Sequence, residues 1–153
     1  EAGGGSGALT TALAQSAFPD GKVITFEKNK KHYNIVKKNL ELSPYSDLVE
    51  LRNEELLAQT KPLPCNSIIL DLPEPQNLIN WAEKSLKLGG KILCYVPTIN
   101  QVETLLSSLD KWSEINISEI IYRKWRTKLD AIRPDTNILG HTGFMVSARL
   151  LNK

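Results

Sequence analysis

The run Glu1-Ala2-Gly3-Gly4-Gly5-Ser6-Gly7 constrains this chain more than any other stretch. Without a Cβ at positions 3, 5 and 7, the backbone can enter positive φ cheaply and lie directly against a ligand. Ala8-Leu9-Thr10-Thr11-Ala12-Leu13-Ala14-Gln15 follows with strong helix formers and with Leu9 and Leu13 four apart, so a helix is expected to start at the glycines. A turn of this kind between a strand end and a helix N-terminus is a nucleotide-binding geometry. Only Glu1 and Ala2 precede it. In open α/β sheets the strand feeding such a turn lies at the sheet centre and bonds to a neighbour on each side. The expectation is therefore a single domain over 1–153 that is a fragment, lacking the upstream part of its first strand.

With 153 residues, 41% hydrophobic and 24% charged, the chain can bury one sizeable core. A net charge of +2 neither demands nor excludes nucleic acid, because what matters is whether the cations cluster. Cys65 and Cys94 follow no metal spacing, and Cys94 sits in the apolar run Ile92-Leu93-Cys94-Tyr95-Val96, which predicts a reduced, buried thiol, a cytoplasmic setting and no metal. No apolar run approaches the roughly 18 residues needed to cross a bilayer, so no membrane association is expected.

Lys22 to Glu27 reads as a short buried strand ending on a carboxylate. Glu27 stands 20 residues past Gly7, where dinucleotide folds place an acid that accepts from ribose hydroxyls. The competing reading is a solvated carboxylate at the start of the next helix, capped by Glu27 or Asn29. From Lys28 to Leu42 the period is helical, with Tyr33, Val36 and Leu40 on one face and a solvated face of Lys30, Lys31, Lys37 and Lys38. Leu48 to Arg52 alternates as a third strand with Asn53 at its end, and 54–60 is a short helix or loop. Ser67-Ile68-Ile69-Leu70-Asp71 is a buried strand, and Pro73 and Pro75 hold the backbone just past Asp71 in a stiff extended wall. A helix over Gln76 to Leu86 ends at Lys87-Leu88-Gly89-Gly90, a strand runs from Lys91 to Val96, and 99–109 is helical. Beyond Glu114, one long strand over 115–126 and another over 143–150, with a loop at 129–142 between them, predict a mostly parallel sheet finished by an antiparallel hairpin. Trp112 and Trp125 are expected to pack in that hairpin.

This α/β pattern, with the turn spelled Glu-x-Gly-x-Gly-x-Gly, resembles a Rossmann-like class I S-adenosylmethionine-dependent methyltransferase. Glu1 to Thr10, Leu70-Asp71-Leu72-Pro73-Glu74-Pro75, Gly90 to Val102, Ile132-Arg133-Pro134-Asp135 and Gly140-His141-Thr142-Gly143-Phe144 are together similar to the tRNA (adenine-58-N1) methyltransferase family. The resemblance implies methylation of N1 of a T-loop adenosine in tRNA, usually by a homotetramer in bacteria and archaea, and a small N-terminal β-domain that this chain lacks. It implies that Glu1, Gly3, Gly4, Gly5, Ser6, Gly7, Glu27, Lys28, Asn53 and Asp71 hold S-adenosylmethionine. The chain departs from the pattern at Gln76, where members commonly have tryptophan, and at Asn53, where they usually have aspartate; an Asn carbonyl can still accept from an adenine amine.

Adenine N1 carries an in-plane lone pair at neutral pH, so positioning should dominate and no proton need be removed first. The product ring is cationic, which favours a nearby carboxylate. Asp71, at the C-terminal end of a central strand, is the candidate catalytic residue; the competing reading has it cap the next helix. Pro73, Tyr95, Pro97, Arg133 and His141 are the candidate substrate contacts, with His141 ordering the loop or touching tRNA rather than acting as a base. Other readings are a methyltransferase acting on another substrate, a non-catalytic tRNA-binding partner subunit, and an NAD-dependent dehydrogenase. The last is disfavoured by the terminal hairpin and by the lack of a hydride-transfer acid–base pair.

Overall fold

The computed structural model describes residues 1–151. In chain order the elements are α1 (Ala8–Ala17), β1 (Val23–Phe26), α2 (Lys30–Leu40), β2 (Val49–Arg52), β3 (Cys65–Leu70), α3 (Ile79–Ser85), β4 (Leu86–Val96), α4 (Ile99–Leu106), β5 (Ser113–Glu119), β6 (Trp125–Arg126), β7 (Arg133–Pro134) and β8 (Phe144–Arg149). The apolar runs pair as the alternation of strands and helices predicts: β1 with β2 and β3 with β4, both parallel. β8 runs antiparallel between β4 and β5. Two residues join the halves of this sheet. Ala2 bridges Phe26 and Leu70, its N donating to Ile69 O and its O accepting from Asp71 N, each at 3.0 Å, while Glu1 O accepts from Phe26 N at 3.0 Å. The order across the sheet is thus β2, β1, residues 1–2, β3, β4, β8, β5, mostly parallel with the expected antiparallel C-terminal pair.

Upstream of Glu1 the edges of β1 and β3 enclose a cavity of about 600 Å³ lined by Val23, Ile24, Ser67, Ile69, Leu13 and Trp81. The Glu1 α-ammonium lies at its end, donating to Ile24 O at 2.9 Å, and burial pushes that ammonium below the usual α-amino range. The slot explains why Leu13 is only half-buried. The residues α1 buries are instead Thr10 and Ala14. A Cβ on Gly7 would sit 3.2 Å from Val36 Cγ1, so this helix approaches its neighbours closely enough that small residues fill the contact.

Several expectations are corrected. The long strand over 115–126 breaks at Glu119, because β8 offers a partner only as far as Phe144; beyond that register Ile120, Ile121 and Tyr122 are exposed. Within the expected loop 129–142, Arg133 and Pro134 instead pair with Arg126 and Trp125. The expected helix end at 87–90 belongs to β4, with Gly89 at φ 81° and Gly89 N donating to Leu150 O at 2.7 Å. The helix expected from Gln76 starts as a 3-10 turn over Pro75–Leu78, so the stretch expected to stay extended through Pro73 and Pro75 bends at Leu72–Pro73 and then coils, while 54–60 takes the loop alternative. On α2, Asn29 is the cap, its side chain accepting from Lys31 N at 2.9 Å, and the four lysines are exposed as expected. Trp112 is buried and donates to Glu83 at 3.2 Å, whereas Trp125 is exposed and does not pack as expected, because the short β6–β7 ladder offers no core to bury it.

Candidate active site

The glycine turn is pressed between the ends of β1 and β3. Gly3 N and Gly4 N both donate to Phe26 O, at 3.1 and 3.2 Å. Gly3 adopts φ 93°, and a Cβ there would lie 2.2 Å from Asp71 O, so only glycine lets the turn touch the strand that carries Asp71. Gly5, at φ 55°, has only Gly3 O, 3.8 Å from where its Cβ would be, which leaves one side of the turn open to a ligand. Ser6 is exposed, and its carbonyl accepts from Asn39 at 2.8 Å.

Three acids surround the turn, each in a different environment. Glu27 is buried, and its two oxygens accept from Gly5 N at 2.9 Å and Asn29 N at 2.7 Å; it is a buried brace for the turn rather than a solvated helix start. Glu1 accepts from Thr10 Oγ1 at 2.5 Å through Oε2, while its buried Oε1 has no partner. Asp71 has no hydrogen-bonding or ionic partner for its carboxylate among the described residues, and burial raises its pKa above the usual aspartate value. Nor does it cap the following turn, where no side-chain cap bond forms. A free, partly desolvated carboxylate at a strand end can take a hydrogen bond or stabilise a developing cation.

Asn53 donates to Glu27 O at 2.8 Å, which leaves its Oδ1 available on an exposed side chain. Lys28 is not turned to the turn; its ammonium pairs with Glu55 at 2.9 Å on the surface. The acceptors left without a partner among the described residues, namely Glu1 Oε1, Asn53 Oδ1 and the Asp71 carboxylate, have the chemistry that a nucleoside bearing a cationic amino-acid tail, such as S-adenosylmethionine, would take. Among the described residues no group of three or more His, Cys, Asp or Glu could hold a metal ion. Burial pushes the Cys94 thiol up to about 12, so it stays protonated and inert.

The loop carrying Pro73 is tied down by a residue that sequence reasoning left without a role. Gln101 Nε2 donates to Pro73 O at 3.0 Å, and Gln101 Oε1 accepts from Thr98 Oγ1 at 2.7 Å. The signal was available, since Thr98-Ile99-Asn100-Gln101 spells a capping box. Here the glutamine reaches back to the Thr98 hydroxyl with its oxygen and out to the loop after Asp71 with its nitrogen. Gln101→Ala is expected to leave cofactor affinity unchanged and to lower kcat about threefold to tenfold, the scale of one lost hydrogen bond, in steady-state assays at saturating cofactor.

At the end of β4, Tyr95 lies over Gly143, where a Cβ would meet its ring at 2.4 Å. Pro97 O accepts from His141 Nε2 at 2.7 Å, and His141 Nδ1 meets Glu119 at 2.5 Å. Pro97 and His141 are therefore brought together with each other and with Glu119, which sequence reasoning missed because the pairing joins three separate strands. Arg133 is set apart on β7, in register with Arg126, which itself pairs with Asp135 at 3.0 Å.

Residues 1–133 match the family described as the tRNA methyltransferase complex GCD14 subunit. The chain is 31% identical, over 98% of its length and 63% of the relative's, to tRNA (adenine(57)-N(1)/adenine(58)-N(1))-methyltransferase TrmI of Methanocaldococcus jannaschii. It is 28% identical to the tRNA (adenine(58)-N(1))-methyltransferase TrmI of Thermus thermophilus, over 97% of this chain and 60% of that one. Among solved structures, the Aquifex aeolicus tRNA (m1A58) methyltransferase TrmI superposes with a TM-score of 0.84 at 28% identity, covering 99% of this chain and 61% of that one. A Thermotoga maritima S-adenosylmethionine-dependent O-methyltransferase reaches 0.91 at 27% identity, covering 99% and 58%. The chain thus spans about three fifths of these relatives and has the Rossmann-like class I methyltransferase fold. By its sequence match and its fold, the chain belongs to the tRNA methyltransferase complex GCD14 subunit family.

Proposed function

We propose that this chain transfers a methyl group from S-adenosylmethionine to N1 of an adenosine in tRNA, at position 58. The observation that carries the reading is the Asp71 carboxylate, without a partner among the described residues and set beside an open glycine turn, ahead of Pro73. When bound, S-adenosylmethionine supplies an electrophilic methyl group on a sulfonium. Glu1, Gly5, Glu27 and Asn53 hold and orient it, while Pro73, braced by Gln101, excludes water from the transfer side. Asp71 accepts from the exocyclic amine of the target base and offsets the positive charge that the ring gains. Incubation with labelled cofactor and bulk tRNA, followed by nuclease mapping, should place label on 1-methyladenosine at position 58. Label on a catechol or on protein but not on tRNA would refute this reading.

The reading extends to assembly and setting. β5 is an open sheet edge, with Ile115 and Ile117 exposed, and it continues into exposed Ile120 and Ile121. Strand edges of this kind pair, so the surface is assigned to a second copy of the chain in a homo-oligomer, a tetramer by resemblance; sedimentation of a pure monomer at micromolar concentration would exclude it. Cys65 and Cys94 are not joined in a disulfide, which suits the cytoplasm.

The slot between β1 and β3 has room for a further extended segment ahead of residues 1–2, running parallel to both strands. There a peptide N–H would replace the buried ammonium at Ile24 O. A chain lengthened upstream of Glu1 by about five apolar residues, a typical strand length, is expected to melt about 5–10 °C higher than the chain starting at Glu1. Calorimetry checks this, and an extension carrying proline and aspartate at the same positions should give no gain. Equal melting of the apolar and the interrupted extensions would empty the slot of this role.

A further inference from the structure

Segment 120–143 leaves the sheet after β5 and returns at β8. Five of its side chains are cationic (Arg123, Lys124, Arg126, Lys128 and Arg133) against two aspartates, Asp130 and Asp135. It holds itself together through the β6–β7 ladder, the Arg126–Asp135 pair and Asp135 N donating to Lys124 O at 2.8 Å. Among the described residues, the hydrogen bonds that run from this segment to the rest of the molecule are the two made by His141. Their placement follows from the sheet register. Phe144, the first residue of β8, stands opposite Val96 on β4 and opposite Glu119 on β5. His141, three residues earlier, therefore reaches one residue past β4 to Pro97 O and across to the last residue of β5, closing the row of three strands at the rim where Asp71 and Tyr95 also lie. Its ring packs against Phe144 with centroids 4.9 Å apart.

Both partners of the ring are acceptors, a backbone carbonyl and a carboxylate, so both ring nitrogens must carry protons. We propose that His141, doubly protonated, is a positioning residue that fastens the basic segment 120–143 to the rim of the transfer site, and that loss of one proton releases the segment's grip on substrate RNA. The bond to Pro97 O, and after it the Glu119 carboxylate, raise the imidazole pKa above its usual value, and among the described residues Glu119 is the charged group that acts on the ring. A histidine with a raised value in the folded protein makes its contribution in full below its unfolded value and loses it as pH rises through the folded one. The clamp is thus closed in mild acid and opens toward alkaline pH, and cations on the freed segment no longer face the phosphates together.

The inference rests on the tRNA reading above, and its test separates the two. Hydrogen exchange of the Arg126, Arg133 and Asp135 amides, corrected for intrinsic rates, needs no turnover. Protection is expected to fall about tenfold between about pH 6 and pH 9, the scale of a lost charge-assisted hydrogen bond. In His141→Gln protection should be low and flat across that range, and in Glu119→Gln the wild-type transition should move to lower pH. KM for tRNA should follow the same profile, with kcat and S-adenosylhomocysteine affinity unchanged. A flat profile in the unaltered chain, or a loss confined to kcat, overturns the clamp. If His141→Gln fails to fold by circular dichroism, the direction of the Glu119→Gln shift decides. Absence of tRNA methylation by the unaltered chain would count against the function, while exchange would still judge the clamp.

Discussion

Replacement of Asp71 by alanine is expected to slow methyl transfer about 10²- to 10³-fold, the range seen when one preorganised charge-stabilising group is removed. The binding of S-adenosylhomocysteine should change by no more than about threefold, the effect of a single weak contact. The reasoning starts from what Asp71 does not do. Its carboxylate braces no helix and pairs with no cation among the described residues, so removing it breaks no structural bond. Its backbone, in contrast, is fixed, with Asp71 N donating to Ala2 O at 3.0 Å and Asp71 O in contact with Gly3. Asp71→Asn keeps an acceptor but loses the charge and should fall between alanine and the unaltered chain. Burial raises the Asp71 pKa, so the single-turnover rate should decline on the acid side at a higher pH than an ordinary aspartate would give, and that limb should vanish in Asp71→Asn. Full turnover by Asp71→Ala would remove the residue from the mechanism.

Gly3→Ala is expected to damage stability and activity together. An alanine at φ 93° is strained by about 1–2 kcal/mol, and a Cβ 2.2 Å from Asp71 O forces backbone apart at a further cost of about 1–3 kcal/mol. For a domain of this size each kcal/mol lowers the melting temperature by about 2–4 °C, so a fall of roughly 5–15 °C is expected by calorimetry. Gly89→Ala is the control. Gly89 adopts φ 81° but has open space around its Cβ position, so it should show the backbone strain alone, with cofactor affinity unaltered. If both variants lost the same stability and both bound cofactor normally, the close approach of the turn to Asp71 would carry no functional weight.

Much of this was legible in the residues. Local steric rules made Gly3, Gly5 and Gly7 a turn, and apolar alternation located β1 to β4 and β8 within a residue or two, except that β4 begins earlier, at Leu86. The break after Glu119 was not legible, because Ile120, Ile121 and Tyr122 have strand propensity and only the length of β8 denies them a partner. Trp125 was misread for a related reason: it has the right chemistry, but the short β6–β7 ladder gives it no core to pack in.

By itself the sequence determined the turn, the order of strands and helices, and the identity of the acids that follow them, since φ preference and hydrophobic period act within a few residues of their source. Tertiary structure alone decided which acids were spoken for. Glu27 is bonded by Gly5 and Asn29, Glu119 by His141, and the Asp71 carboxylate by none of the described residues. Those pairings join residues far apart in the chain and depend on which strands lie side by side, and no local rule encodes that.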